Sequence, residues 1–370
     1  MLSSRRSETQ VSAPRRQLCD FLTLLVGLML SGAAVADQHL GLPPLTVPID
    51  NPQTDEKIAL GKHLFNDKRF SADGSVSCAS CHHADKAFTD GQPLAQGLNG
   101  QTGTRNAPTV MNAAFFDTLF LDGRANSLEA QALGPFTNPI EHGLNNHQAI
   151  VDTIQKDAQY GQQFQKVFAI QPQQITINHV TKAIASYERT LIAGNSPFDR
   201  YLFGRDYSVL SQSTERGLGI FKRKGNCLVC HEISWNNALF TDNRFYNVGV
   251  GFKRLTPVLD ALIAAVNLGK NPDDFPLTDA QRSELGRFNV TKVLTDVGKF
   301  KTPTLRNIAL TAPYMHDGSM KTLEEVIEHY DKGGDKNRFI DTEIFPLHLT
   351  QQEKADLVAF MKSLTSQQEP

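Results

Sequence analysis

The 370-residue chain has little cysteine, a single tryptophan and almost no net charge. Five cysteines are present, and Cys19 lies in an apolar N-terminal segment, so only Cys78, Cys81, Cys227 and Cys230 remain for the folded protein. All four sit in C-x-x-C pairs, which leaves none for a disulfide between distant segments. A formal net charge of −2 and the lack of a long basic run exclude an evident nucleic-acid-binding surface. Alternating strand patterns are scarce. The apolar run from Phe21 to Ala36 is shorter than the ~20 residues a membrane span needs, so no stable membrane insertion is expected.

What is present begins with an export signal. Arg5, Arg6, Arg15 and Arg16 precede "FLTLLVGLML" and a small-residue stretch ending Ala34-Val35-Ala36, which predicts a signal peptide over 1–36 and a periplasmic protein. Hydrophobic content of 40% and charged content of 21% are ordinary for a globular chain long enough for two cores.

The chemistry sits in Cys78-Ala-Ser-Cys81-His82 and Cys227-Leu-Val-Cys230-His231. A thioredoxin-like pair would need a βαβ setting, and neither motif has one. A zinc site could use four thiolates but leaves both histidines without a role. Covalent haem c accounts for every position: the thiols attach to the vinyl groups and the adjacent histidine is placed to ligate iron. Two motifs far apart in the chain suit one haem per domain, with domains expected over 37–205 and 206–370 and a boundary near "SPFDRYLFGRDYS".

The surrounding sequence reads as mostly α, in two cytochrome c-like domains. "TDEKIALGKHLF" begins at a Thr54 or Asp55 cap, and "LTQQEKADLVAFMKSL" has Thr350 and Glu353 in capping-box spacing. Val180, Ala183, Ile184, Tyr187 and Leu191 share a helical stripe expected to run to Gly194-Asn195. Thr322 and Glu325 start a helix that Gly333-Gly334 stops; on it Leu323, Val326, Ile327 and Tyr330 share one face. The haem unit is the only internal repeat that stands out.

Together, "CASCHHADKAFTDG", "TRNAPTVMNAAF", "LDGRANSLEAQALGPFTNPIEHG", "ERTLIAGNSPFDRYLFG", "CLVCH" and "FKTPTLRNIALTAPYMHDGSMKTLEEVIEHY" resemble the bacterial di-haem cytochrome c peroxidases and MauG. The resemblance implies a peroxide-reactive first haem with His82 as proximal ligand and Gln131, Pro135 and Glu141 on its other face. Glu141 would assist O–O cleavage by moving a proton between the peroxide oxygens. It implies a second, electron-relay haem with His231 and Tyr330 as axial ligands, and a calcium ion near Asn106, Thr311 and Pro313. Arg306 and His316 would support haem propionates, the remaining histidines being surface or core residues. The implied reaction is reduction of hydrogen peroxide, with electrons from a small periplasmic donor protein. The alternative is MauG-like oxidation of Trp or Tyr side chains on a partner protein. From another class, a non-enzymatic di-haem electron carrier has no use for a peroxide pocket. A monomer or homodimer is expected.

Four departures qualify the resemblance. Leu98 stands where many relatives carry an iron-ligating loop His, and an apolar side chain cannot ligate. Tyr330 takes the place of the Met of cytochrome c peroxidases, as in MauG. Leu121 and Gly225 occupy positions where tryptophan relays are expected. The lone Trp235, after the second motif, reads as ordinary packing.

Overall fold

A computed structural model describes residues 39–366. The expected signal peptide lies outside these residues. Among them no helix is long and apolar enough to cross a membrane.

The chain is helical with many single-turn links. The helices are α1 (Asp55–Asn66), α2 (Leu128–Thr137), α3 (Gln148–Lys156), α4 (Ala158–Phe168), α5 (Ile177–Glu188) and α6 (Pro197–Leu202). They continue as α7 (Gln212–Lys222), α8 (Leu259–Asn267), α9 (Asp279–Glu284), α10 (Phe288–Thr291), α11 (Leu323–Asp331) and α12 (Gln351–Lys362). One short antiparallel pair, β1 (Phe245–Tyr246) and β2 (Phe300–Lys301), is the only sheet among the described residues.

Local chemistry sets most helix ends. Thr54 caps α1 by accepting from the Lys57 amide, and Thr350 and Glu353 form the expected box at α12. At α11, Thr322 accepts from the Glu325 amide at 3.2 Å, but the Glu325 carboxylate reaches back to the Lys321 amide rather than to Thr322. Gly333 and Gly334 end that helix at φ of 84° and 66°. The stripe on α5 is buried as expected at Val180, Ala183, Ile184 and Tyr187, yet α5 stops at Glu188. Leu191 is already past it, in a turn whose amides return to Tyr187 and Glu188.

The repeat runs well beyond the haem motifs, and the fold builds one arrangement twice. α1 crosses α5 at Gly61, where a Cβ would lie 1.9 Å from the Ala183 carbonyl oxygen. α7 crosses α12 at Gly217, where a Cβ would lie 2.0 Å from that of Asp356. Only glycine permits either approach. The Asn112 amide donates to Leu191 O at 2.8 Å, and its Oδ1 accepts from the Ala193 amide. Asn307 does the same with Leu364 O and the Ser366 amide. Both asparagines have positive φ.

Leu60, Phe65, Phe136, Phe164 and Ile184 fill a first apolar cluster; Phe198, Phe221, Phe240, Leu357 and Phe360 fill another. The stretch expected to hold a boundary is α6, which packs Phe198 into that other cluster. Asp199 beside it pairs with Arg306 at 2.8 and 2.9 Å, both side chains being essentially fully buried.

Candidate functional site

Each C-x-x-C-H motif forms a single 3-10 turn, Cys78–Ser80 or Cys227–Val229, whose first carbonyl also accepts the histidine amide. The two histidines are then oriented alike. His82 Nδ1 lies 3.0 Å from Phe88 O, and His231 Nδ1 lies 2.8 Å from Phe240 O. Phe88 and Phe240 both take left-handed backbone, with φ of 57° and 54°, which turns those carbonyls inward. With Nδ1 held by a carbonyl, Nε2 is the nitrogen left for a ligand. Burial lowers both imidazole pKa values and favours the neutral, ligating form.

His82 and His231 open onto one cavity of about 940 Å³. Its lining is mainly apolar and draws on both repeats. Burial raises all four thiols, Cys81 and Cys230 to about 11 and Cys227 to about 12, so they stay protonated at neutral pH. A large apolar cavity with two fixed imidazoles and the Cys81, Cys227 and Cys230 thiols at its edge fits two covalently held haem groups.

The residues expected on the other face of the first site are brought together. α2 begins at Ser127, which accepts from the Ala130 amide, and presents Leu128, Gln131 and Pro135 to the cavity. Pro135 inside the helix cannot donate to the Gln131 carbonyl, and α2 ends two residues later. The following turn is held by Asn138, whose Oδ1 accepts from the Ile140 amide and whose Nδ2 donates to Glu141 Oε1 at 2.6 Å. Glu141 therefore lines the cavity. Burial raises its carboxyl pKa, opposed by the Arg124 charge and the Asn138 hydrogen bond.

At the second site Leu323, Val326, Ile327 and Tyr330 all line the cavity, the face expected from their spacing. Burial, with the Cys230 and Cys227 thiols nearby, raises the Tyr330 phenol pKa. α11 is the structural counterpart of α2. Tyr330 falls as far beyond its cap Thr322 as Pro135 falls beyond Ser127. One repeat thus carries a residue with no donor atom where the other carries a phenol.

The family model for di-haem cytochrome c peroxidase matches residues 55–207. A cytochrome-c peroxidase IdrP1 from Pseudomonas sp. (strain SCT) is 38% identical, covering 94% of this chain and 92% of its own. The methylamine utilization protein MauG of Methylorubrum extorquens is 37% identical, over 86% of this chain and 81% of its own. Among solved structures, a MauG-like protein associated with microbial copper homeostasis superposes with a TM-score of 0.73 at 34% identity, covering 88% of this chain and 94% of that one.

The chain belongs to the di-haem cytochrome c peroxidase family. It is an oxidoreductase of the peroxidase type, and the family implies haem c as cofactor.

Several residues of this peroxidase stand differently from expectation. Arg306 does not line the cavity. Its guanidinium is locked by Asp199, Ala238 O and Gly41 O, which leaves it no reach toward a propionate. Arg105, which sequence reasoning passed over, does line the cavity; it lies over the Phe300 ring, and its buried Nη1 has no partner. The signal for it was the "RNAPT" string, read only for Asn106. His316 also lines the cavity, stacked on Phe300 at 3.8 Å with Nε2 2.8 Å from Glu284 Oε2.

Leu98 is buried against Gly143 rather than on the cavity wall, and its amide donates to Ile140 O. Leu121 is on the wall. A Cβ at Gly225 would meet Ile220 O at 3.0 Å and Cys227 Sγ at 3.1 Å, a tight fit for any side chain there. Trp235 is 91% exposed and is not a packing residue. His142, 3% exposed with Nδ1 on Phe70 O, is a core histidine. Asn106, Thr311 and Pro313 border the same cavity, where Asn106 Nδ2 donates to Gln92 O at 2.7 Å; the remaining oxygens suit a hard cation.

Proposed function

We propose that the protein is a periplasmic di-haem peroxidase that reduces hydrogen peroxide at the His82 side of the cavity. Electrons would arrive through the His231 side from a small protein donor. The two haem domains are taken as 37–205 and 206–370, with α6 reaching from the first into the apolar cluster of the second.

The observation that carries this reading is the convergence of His82, Gln131, Pro135 and Glu141 on one cavity, with Glu141 oriented by Asn138. Bound haem iron would supply the electron-transfer chemistry. Cys78, Cys81 and His82 would hold one haem; Cys227, Cys230, His231 and Tyr330 would hold the other. Gln131 and Pro135 shape the space facing His82, an amide for polar contact and a ring that excludes bulk. Glu141 can accept a proton from one peroxide oxygen and return it to the other, because its second carboxyl oxygen is left free by Asn138. Asn106, Thr311 and Pro313 would hold one calcium ion.

A second reading, oxidation of Trp or Tyr side chains on a partner protein as in MauG, is favoured by Tyr330. A phenolate donor stabilises oxidised iron more than a thioether does. Leu121 and Gly225 weigh against it by removing both tryptophan relay positions.

The test is to mix the fully oxidised, haem-loaded protein with one equivalent of peroxide in a stopped-flow spectrometer. With Leu98 turned away from the cavity, reaction is expected at once and without added reductant. A resting protein that stays inert until partly reduced would show that another group closes the first site.

A further inference from the structure

Glu188, the last residue of α5, lines the cavity that also receives Gln131, Pro135 and Glu141. It is 5% exposed, and its Oε2 has no hydrogen-bond partner. A buried carboxyl oxygen without a partner is costly, and a carboxylate at a helix C-terminus also faces the negative end of the dipole. Both effects disfavour its charged form.

The charged groups facing it are Arg189 and Glu129, and its other titratable neighbours are Cys78 and Tyr187. The Arg189 charge offsets part of this cost, but its Nη2 is committed to Glu129 at 2.8 and 3.0 Å and its buried Nη1 makes no hydrogen bond. Burial, helped by Glu129 and only partly offset by Arg189, lifts the Glu188 carboxyl to about 8. The group therefore holds a proton at neutral pH, where an ordinary glutamate would have lost it.

Peroxide reduction follows H₂O₂ + 2 H⁺ + 2 e⁻ → 2 H₂O. The electrons come from the donor. Glu141 moves a proton from one oxygen to the other and is returned unchanged, so it adds none to the balance. Both consumed protons must enter the pocket from elsewhere.

We infer that Glu188 is a second acid of the peroxide pocket, a carboxyl that supplies one of the consumed protons and is reprotonated from solvent. The inference rests on the reading of the His82 side as the peroxide site. It differs from a packing role because a neutral isostere would pack equally well and yet carry no proton to give.

The experiment uses the full haem-loaded chain as wild type, Glu188→Gln and Glu188→Asp, with infrared pH titration of protonated carboxyl groups and peroxide turnover against pH. Wild type is expected to lose one carboxyl band as pH rises through about 8, and Glu188→Gln to lack that band. Turnover of Glu188→Gln should fall by roughly 100-fold, the lower end for a positioned acid–base group, and lose its alkaline limb. Glu188→Asp should retain a titrating limb at shifted pH. A band that persists in Glu188→Gln, or a turnover profile matching wild type, overturns the inference. If Glu188→Gln does not fold, a folded Glu188→Asp with an unshifted profile overturns it equally. Wild type inert to peroxide would sink the pocket reading as well, whereas turnover lost in Glu141→Gln but kept in Glu188→Gln would sink this inference alone.

Discussion

Replacing Asp199 by Asn tests whether Arg306 is a structural clamp. The guanidinium is 1% exposed and the carboxylate 0%, and their two hydrogen bonds are of 2.8 and 2.9 Å. Arg306 also donates to Ala238 O and Gly41 O, so the pair ties the start of the described chain and α6 to the second core. Asp199 Oδ2 further accepts from the Ser196 amide and hydroxyl, closing the α6 cap. An Asn there is nearly isosteric but neutral, and points an NH₂ at donors. It leaves a buried guanidinium with two carbonyls and no counter-charge.

Breaking a buried pair by removing one partner costs about 3–5 kcal/mol. Weakening the cap adds about 1 kcal/mol, for a total of about 4–6 kcal/mol. That is a large share of a stability of roughly 5–15 kcal/mol, and corresponds to a fall in melting temperature on the order of 10 °C. Denaturant and thermal unfolding of the haem-loaded protein, followed by far-ultraviolet circular dichroism, measure it. The Asp199→Asn/Arg306→Met double variant should recover part of the loss, because no lone charge remains buried. The haem absorption of the folded variant should match wild type. A loss below about 1 kcal/mol, the scale of an exposed pair, would refute the clamp, and an altered haem spectrum would return Arg306 to a propionate role.

Two further predictions bear on the pocket. Glu141→Gln should lower peroxide turnover by roughly 100-fold or more with little change in haem spectra. Because burial holds the folded carboxyl above the ordinary value of about 4.3, its base form is lost as pH falls, so wild-type turnover should decline on the acid side before that value is reached. Glu141→Gln should not show this limb, and a shared limb in steady-state assays would assign it to another group. Tyr330→Met should raise the potential of the second haem while peroxide turnover with a small donor persists; spectroelectrochemistry showing no shift would remove Tyr330 from the iron.

Much of the local structure was legible because it is set by contacts a few residues apart. Thr54, Thr322 and Thr350 are caps whose partners lie within one turn, and Leu323, Val326, Ile327 and Tyr330 share a face through helical spacing alone. The C-x-x-C-H turn is equally local, since its first carbonyl accepts the histidine amide. The apolar stripe continues to Leu191, but α5 stops at Glu188, because the chain turns at Arg189 to bring the Leu191 carbonyl and the Ala193 amide to Asn112. The wider repeat is not legible in the sequence because its matching elements are single residues, Asn112 with Asn307 and Gly61 with Gly217, held in common geometry rather than in a shared string.

The sequence by itself determined the haem motifs, the helical character, most caps and the family resemblance, because each depends on residue type at short or fixed spacing. Tertiary structure alone decided which polar groups face the cavity and which are spent elsewhere. Arg306 and Arg105 read alike in the sequence, yet Asp199 and two carbonyls from distant segments consume the first, while the second reaches the cavity with Nη1 unpaired. Glu188 read only as part of a helix. Its raised carboxyl exists because the fold withdraws water from it and commits the neighbouring Arg189 to Glu129, a balance of burial and charge that depends on contacts far apart in the chain.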